Sequence, residues 1–415
     1  MVHTENAPAA QIHPLAKASG LALLGCLTGL TPLAIDAYLP ALPELASDLH
    51  ASSSQAQLTL SALLIGLAVG QALAGPLSDA IGRRRPVLVG LALFSLTSLL
   101  CAFAPDIRVL IALRFLQGAS GAAGVVCARA VVRDLFEGVA MARAFARLVL
   151  VMGAAPVLAP VLGAQLLRVT TWRGVFVALA VAGLVMLAFA SRLLKETLPP
   201  ERRRPGSFSA TMRTFGFLLR DRPYVLHVLS GGFAFASMFA YISGSPFVLQ
   251  KVYGLSPQQF SIAFGLNAAA FVGVAQISAR VVRRTGARAL LLTGTSLQVA
   301  GATVIVVALA TGAGLVGLLP GLLLVVGSVG LTAPNATALA LTSHGAIAGS
   351  AAALLGLGQY VIAGSAAPLV GIAGENTATP MAAVIATGAV LALAAAVLAG
   401  RGQDPHEVEP ELPAT

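Results

Sequence analysis

Polar and apolar positions alternate in long blocks along this chain. Twelve predominantly apolar runs cover residues 18–39, 56–77, 87–104, 109–129, 142–167 and 174–194, then 224–249, 258–281, 288–310, 315–341, 347–371 and 379–400. Each is near the ~20 apolar residues that a helix needs to cross a bilayer. The pattern therefore predicts twelve membrane-crossing helices. The division at 311–314 is short and the weakest, and the last stretch, 401–415, is polar, acidic and reads as a disordered tail.

Composition strengthens this reading. The chain has 415 residues, 57% of them hydrophobic and 10% charged, and a mean hydropathy of +0.87. Soluble domains carry roughly 25% charged residues. A soluble enzyme, a secreted disulfide scaffold and a disordered regulator are excluded. The first apolar run is too long, and its flanks are wrong, for a cleaved signal peptide, so it reads as a signal anchor.

Twelve spans put both termini on one side. With the N-terminus inside, 21 of the 26 Lys and Arg residues fall on the inner side and 4 outside, with Arg114 within a span. The positive-inside rule then places both termini in the cytoplasm. The net charge of +10 becomes a topology signal toward an anionic leaflet, and no nucleic-acid partner is required. Cys26, Cys101 and Cys127 match no metal spacing and read as packing residues.

An Arg- and Pro-rich stretch, 195–223, divides the spans six and six. The expected organisation is a cytoplasmic tail over 1–17, a six-helix bundle over 18–194, a cytoplasmic linker over 195–223, a second bundle over 224–400 and a tail over 401–415. A weak internal repeat crosses the linker at an offset of ~205 residues. It relates Pro40 to Pro246, Gln71 to Gln276 and Gly82 to Gly286. The fold class is an all-α polytopic membrane protein of two six-helix pseudo-repeats, a recurrent plan for carriers with a site between the halves.

The loop after the second span reads Gly75-Pro76-Leu77-Ser78-Asp79-Ala80-Ile81-Gly82-Arg83-Arg84-Arg85. It resembles the signature loop of the major facilitator superfamily. Arg114-Phe115-Leu116-Gln117-Gly118 is similar to that superfamily's fourth-span motif. The stretch containing Pro156, Ala159, Pro160, Gly163 and Ala164 is similar to its antiporter motif, with alanine for glycine at 159 and 164. Finer likeness lies in Asp36-Ala37-Tyr38-Leu39-Pro40, Trp172-Arg173-Gly174, Glu196-Thr197-Leu198, Ser245-Pro246-Phe247 and Pro334-Asn335-Ala336. Together these resemble the Bcr/CflA branch of bicyclomycin and chloramphenicol exporters. The likeness implies proton-coupled drug efflux with no cofactor beyond the proton gradient, by a monomer in the cytoplasmic membrane. Its conformational gate would involve Gly75, Asp79, Gly82, Arg83 and Arg84, with Arg83 reaching Asp134.

Only Asp36 and Arg114 are ionisable acid or base groups placed inside the spans. Each costs ~2.5–3.5 kcal/mol at a helix centre, and such groups are retained where they act on an ion or substrate. Counted at ~1.5 Å per residue, both lie at similar depth in the outer half. Asp36 is the expected proton carrier, with Arg114 tuning it. The alternative is an interfacial Asp36, since Pro40 ends its helix. Membrane voltage would supply ~2.3 kcal/mol per charge per 100 mV.

Candidate substrate contacts are Tyr38, Gln117, Tyr241, Asn267, Asn335 and Gln359. The mostly apolar spans favour small apolar or amphipathic substrates. His227 and His344 sit near predicted inner ends. No metal site is expected. A metabolite or sugar facilitator would share the same fold. An intramembrane enzyme would need paired acids, a metal set or a Ser–His dyad, and the spans hold none.

Overall fold

The computed structural model describes residues 18–203, 208–372, 374 and 376–400. The N- and C-terminal tails and part of the linker's arginine–proline run lie outside the described residues. Among those described, all regular structure is helical and there is no strand. Twelve helices are long and apolar enough to cross a membrane.

The first half holds α1 (Ala18–Asp36), α2 (Leu42–Asp48), α3 (Ser53–Ile81), α4 (Arg84–Ala102), α5 (Ile107–Leu135), α6 (Gly138–Leu166) and α7 (Trp172–Leu193). After α8 (Phe208–Leu218) come α9 (Arg222–Phe247), α10 (Pro257–Thr285), α11 (Ala287–Thr311), α12 (Gly314–Thr342), α13 (Ala348–Val370) and α14 (Thr379–Ala399). Local chemistry marks the boundaries. Ser52 with Gln55 and Ser256 with Gln259 form matching capping boxes before α3 and α10, each satisfying amide groups left open at a helix start. Gly312 ends α11 in the left-handed conformation that suits glycine at a helix C-terminus, so the short 311–314 link is enough to reverse the chain.

Two elements depart from the hydrophobic pattern. The first run continues to residue 39, yet α1 stops at Asp36 and the chain turns through a 3-10 segment, Leu39–Ala41, into α2. Proline disfavours helix at the residue before it, and Pro40 and Pro43 both fall here. The segment stays apolar because it is packed inside the protein: Tyr38 through Ala46, except Glu44, are buried. The linker also contains α8, which composition alone reads as a polar loop.

Helices α1 and α3–α7 pack among themselves, and α9–α14 do likewise. Between the halves, α3 lies along α13 and α6 along α10. Because neighbouring spans run antiparallel, one end of the molecule collects the α3–α4 and α7–α8 connections with their arginines. The opposite end collects the α1 break and the starts of α3 and α10.

Candidate functional site

The break after α1 is the centre of the first half's polar chemistry. A helix leaves its last four carbonyls without helical donors. One of these, on Ala34, accepts from Arg114 Nη2 at 3.1 Å. Arg114 Nη1 donates to Gln117 Oε1 at 2.6 Å, and Gln117 Nε2 donates to Ser98 Oγ at 2.6 Å. The guanidinium lies over the Tyr38 ring at 4.3 Å and near Phe176 at 5.5 Å. Arg114 is fully buried, and its Nε has no hydrogen-bond partner. A cation here also complements the negative end of the α1 dipole.

Asp36, the last residue of α1, is 4% exposed. Among the described residues it forms no ion pair, with Arg114 or any other group. The two expected partners thus meet through the end of α1 and not through a direct bridge. Next to Asp36, the carbonyl of Ala37 sits so close to Gly163 that a Cβ at 163 would overlap it. This explains why the antiporter-like motif needs glycine at that position. Tyr38 turns its hydroxyl to Thr59 Oγ1 at 2.9 Å.

Across the interface, Asn267 Nδ2 donates to the Tyr241 hydroxyl at 2.9 Å. Tyr241 stacks on Phe264 with ring centroids 5.5 Å apart. It lies within electrostatic reach of Asp36, and Ser245 is its neighbour. Tyr241, Ser245 and Asn267 are all buried. This joins one candidate from the first half to two from the second. Gln117 and Asn335 go elsewhere. Gln117 is enclosed between Arg114 and Ser98, while Asn335 donates to Ser278 Oγ at 2.8 Å and to the Leu331 carbonyl. Both amides are spent on helix packing. Gln359 covers Gly231 at the α9–α13 contact. Two apolar hollows of about 390 and 360 Å³ run along α1, α6 and α7 on the flank of the first half, and share Leu33 and Leu162. Neither is lined by a candidate polar residue. Among the described residues no His, Cys, Asp or Glu cluster could hold a metal.

Among the described residues, seven hydrogen bonds from a side chain to a backbone carbonyl join the halves, all toward the arginine-poor end. Ser53 and Ser54 donate to the carbonyls of Gly371 and Pro368 at 3.1 and 2.9 Å. Gln57 donates to Ser243 and Ser61 to Gly364, at 3.2 and 2.6 Å. Gln250 donates to Pro40, Gln258 to Ala164 and Ser261 to Pro160, at 3.2, 3.0 and 2.9 Å. Every donor is a neutral side chain and every acceptor a backbone carbonyl. Pro368 lacks an N–H, so the Gly364 carbonyl one turn earlier has no helical donor, and Ser61 supplies one. Ser54 and Gln258 sit at matching places in the two capping boxes, so the internal repeat reappears as a pair of equivalent bonds.

The arginine-rich end is built differently. Gly82 turns the chain between α3 and α4 at a φ of 96°, in the region that glycine tolerates. Arg83 Nη1 contacts Asp79 at 2.5 Å, and Arg83 Nε contacts Asp134 at 3.1 Å. Arg84 donates to the carbonyls of Leu194 and Ser191. Glu196, not singled out for a role by its sequence, lies under the turn and accepts from the backbone N–H groups of Arg83 and Arg84 at 2.7 and 3.2 Å. Burial pushes its carboxyl up, but the backbone donors of Arg83, Leu198, Arg84 and Thr197 outweigh this and hold it below the usual glutamate range. Thr197 adds a bond to Asp134 at 3.0 Å. These bonds all stay within the first half. Gly75 has open space beside it, and Pro156 lies mid-helix in α6.

Comparison with known proteins agrees with this architecture. Residues 24–368 match the family model described as Major Facilitator Superfamily. Over 252 residues the chain is 47% identical to the "Uncharacterized MFS-type transporter YdgK" of Bacillus subtilis, covering 60% of this chain and 63% of that protein. It is 31% identical over 275 residues to a "Bicyclomycin resistance protein homolog" of Haemophilus influenzae, covering 66% and 69%. It is 30% identical over 239 residues to the "Multidrug resistance protein MdtL" of Salmonella heidelberg, covering 58% and 60%. The aligned part thus spans just under two thirds of the first of these relatives. Among solved structures, a bacterial homolog of the human lysosomal transporter Spinster, in an inward-facing and occupied conformation, matches with a TM-score of 0.72 at 16% identity, covering 95% of this chain and 98% of that one. A D-xylose–proton symporter matches with a TM-score of 0.71 at 17% identity, covering 91% and 96%. At these identities the structures support the fold alone.

Proposed function

We propose that this chain, which belongs to the Major Facilitator Superfamily, exports small, mostly apolar or amphipathic drugs across the cytoplasmic membrane in exchange for protons. That it is a multi-pass membrane transporter and not an enzyme follows from the family match, the twelve spans and the transporter relatives. The finer reading, drug efflux of the Bcr/CflA type, draws support from the names of the bicyclomycin-resistance and multidrug-resistance relatives.

The observation that carries the proton-coupled reading is Asp36: a carboxyl buried at a helix break, without an ion pair among the described residues, and within electrostatic reach of Tyr241 in the second half. An unpaired charge in apolar surroundings is costly, so gain or loss of a proton there changes which conformation is favoured. Arg114 holds the end of α1 and so positions Asp36. The antiporter-like stretch of α6 touches the same break through Gly163 and the second half through the carbonyls of Pro160 and Ala164. Movement of the break is thereby mechanically linked to separation of the halves. With the arginine-rich end in the cytoplasm, as the positive-inside rule requires, the end sealed by neutral hydrogen bonds faces outward. The site would then load from the inside and release after the seal opens.

The test is transport of bicyclomycin and chloramphenicol in inverted vesicles from a host lacking its own pumps. Export should collapse with a protonophore. Asp36→Asn should abolish drug-dependent proton movement while the protein still inserts. Full drug-dependent proton movement in that variant would falsify the assignment, and substrate movement unaffected by the protonophore would favour a facilitator.

A further inference from the structure

We infer that the linker helix α8 lies in the membrane interface and binds anionic phospholipid headgroups, a surface separate from the transport site. Helix α8 (Phe208–Leu218) has three distinct stripes. Phe215 and Leu218 are buried, and pack with Tyr224, Ala340, Ala351, Leu354 and Leu355 at the ends of α9, α12 and α13. This docking is reinforced by His344, whose ring meets Phe217 and Tyr224 edge-on and whose Nε2 lies 3.3 Å from Asp221. The face that remains is therefore fixed.

At 3.6 residues per turn, Met212 and Leu219 fall on one line, about a quarter turn from the buried stripe. The Leu219 amide continues the helical bonding by donating to the Phe215 carbonyl. Met212 is 41% exposed and Leu219 61%. Both lie outside the spans, where water would otherwise meet them. A further quarter turn brings Arg213; Arg220 follows in the turn that ends the helix, its amide donating to the Phe217 carbonyl, and both are exposed. Neither forms an ion pair among the described residues. An apolar stripe bordered by a basic stripe is the pattern of a helix lying in the headgroup region.

The surroundings choose the partner. The buried stripe rests on the ends of α9, α12 and α13, all of which continue as bilayer-crossing helices, so α8 is held at the level where those spans leave the bilayer. Two unpaired arginines beside the exposed apolar stripe complement an anionic headgroup layer, where each basic side chain is worth about fivefold in binding. Met212 and Leu219 enter the acyl boundary, and Arg213 and Arg220 reach phosphates. Naming the cytoplasmic leaflet rests on the orientation proposed above.

The experiment uses the full chain with its cysteines replaced by alanine and an NBD fluorophore on Met212→Cys or, separately, Leu219→Cys. Vesicles contain phosphatidylethanolamine with phosphatidylglycerol, or phosphatidylcholine alone. In the anionic vesicles NBD emission should shift to the blue and be quenched by shallow nitroxide lipids. R213Q/R220Q should reduce the membrane-engaged fraction, by about fivefold per arginine removed, and so should 1 M salt, which shortens the screening length to about 3 Å. A label on Lys251→Cys, at the opposite end, should not respond to the arginine changes. Equal iodide quenching in both vesicle types would overturn the proposal. So would a blue shift without nitroxide quenching but with cross-linking between copies through Met212→Cys, which would give the stripe to a second copy. Phosphatidylglycerol is present in both leaflets, so the outcome is independent of orientation and of drug export.

Discussion

The two ends of this molecule are held by different chemistry. At the arginine-poor end, neutral serine and glutamine side chains donate to carbonyls of the other half. At the arginine-rich end, ion pairs and a carboxylate beneath the α3–α4 turn tie one half to itself. In the transport cycle proposed above, the first set would break when the halves separate at that end, while the second would keep the first half rigid. Charge sits where bonds stay within one half, and neutral donors sit where bonds join the two. An ionic seal would also carry desolvated charge through each cycle, at a cost of several kcal/mol per ion.

The comparison can be broken first at Arg83. Arg83→Ala leaves Asp134, only 17% exposed at its side chain, beside Asp79 with no cation. Breaking a buried pair this way costs ~3–5 kcal/mol, but the half-exposed Asp79 places the expected loss near ~3 kcal/mol or below. Thermal unfolding of the purified protein should show a lower midpoint, and Arg83→Lys should recover only part of it because one ammonium cannot span both carboxylates. An unchanged midpoint would remove the structural role assigned to this end.

A smaller effect is expected at the seal. Ser61→Ala removes one donor and should cost ~1 kcal/mol, a roughly fivefold change in the balance between sealed and open forms. Cysteine accessibility at the arginine-poor end, read with a membrane-impermeant thiol reagent, should rise accordingly, with no change in its dependence on salt. Ser54→Ala and Gln258→Ala should have matching effects, since the repeat makes their bonds equivalent. Strong salt dependence would contradict a neutral seal.

The smallest effect is the titration of Glu196. Its carboxyl is held below the usual range in the fold, so it stabilises above the ordinary glutamate value of about 4.3. That contribution should fade as pH drops through the lower folded value. The group is half-buried and partly screened by solvent, so the change should stay below ~1 kcal/mol. Glu196→Gln should flatten this part of the curve of unfolding midpoint against pH, leaving the seal's behaviour unaltered.

Much of this was legible in the sequence because bilayer crossing imposes a length and a composition that few other constraints imitate. The α1 break was half legible. Pro40 marked an end, but Ala37–Leu39 reads as more span because the segment is buried in protein, and burial in protein and burial in lipid select the same residues. Helix α8 was hidden for the opposite reason: its eleven residues lie among arginines and prolines that dominate the composition. Asp36 and Arg114 stood out as isolated charges. Their relation did not, because Arg114 meets a backbone carbonyl, and a carbonyl carries no side-chain signature. Glu196 is joined to Arg83 and Arg84 through backbone N–H groups across a long sequence separation, and no local pattern encodes that.

The proline at 368 has a consequence for timing. The Gly364 carbonyl that it strips of a helical partner is a permanent acceptor. When Ser61 withdraws, a water molecule can occupy the same lone pair, and Ser61 finds another water. One hydrogen bond is traded for two weaker-ordered ones at little net free energy. Such a contact sets no deep trap on either side of the cycle, so the halves can separate and rejoin on the microsecond-to-millisecond scale of domain motions.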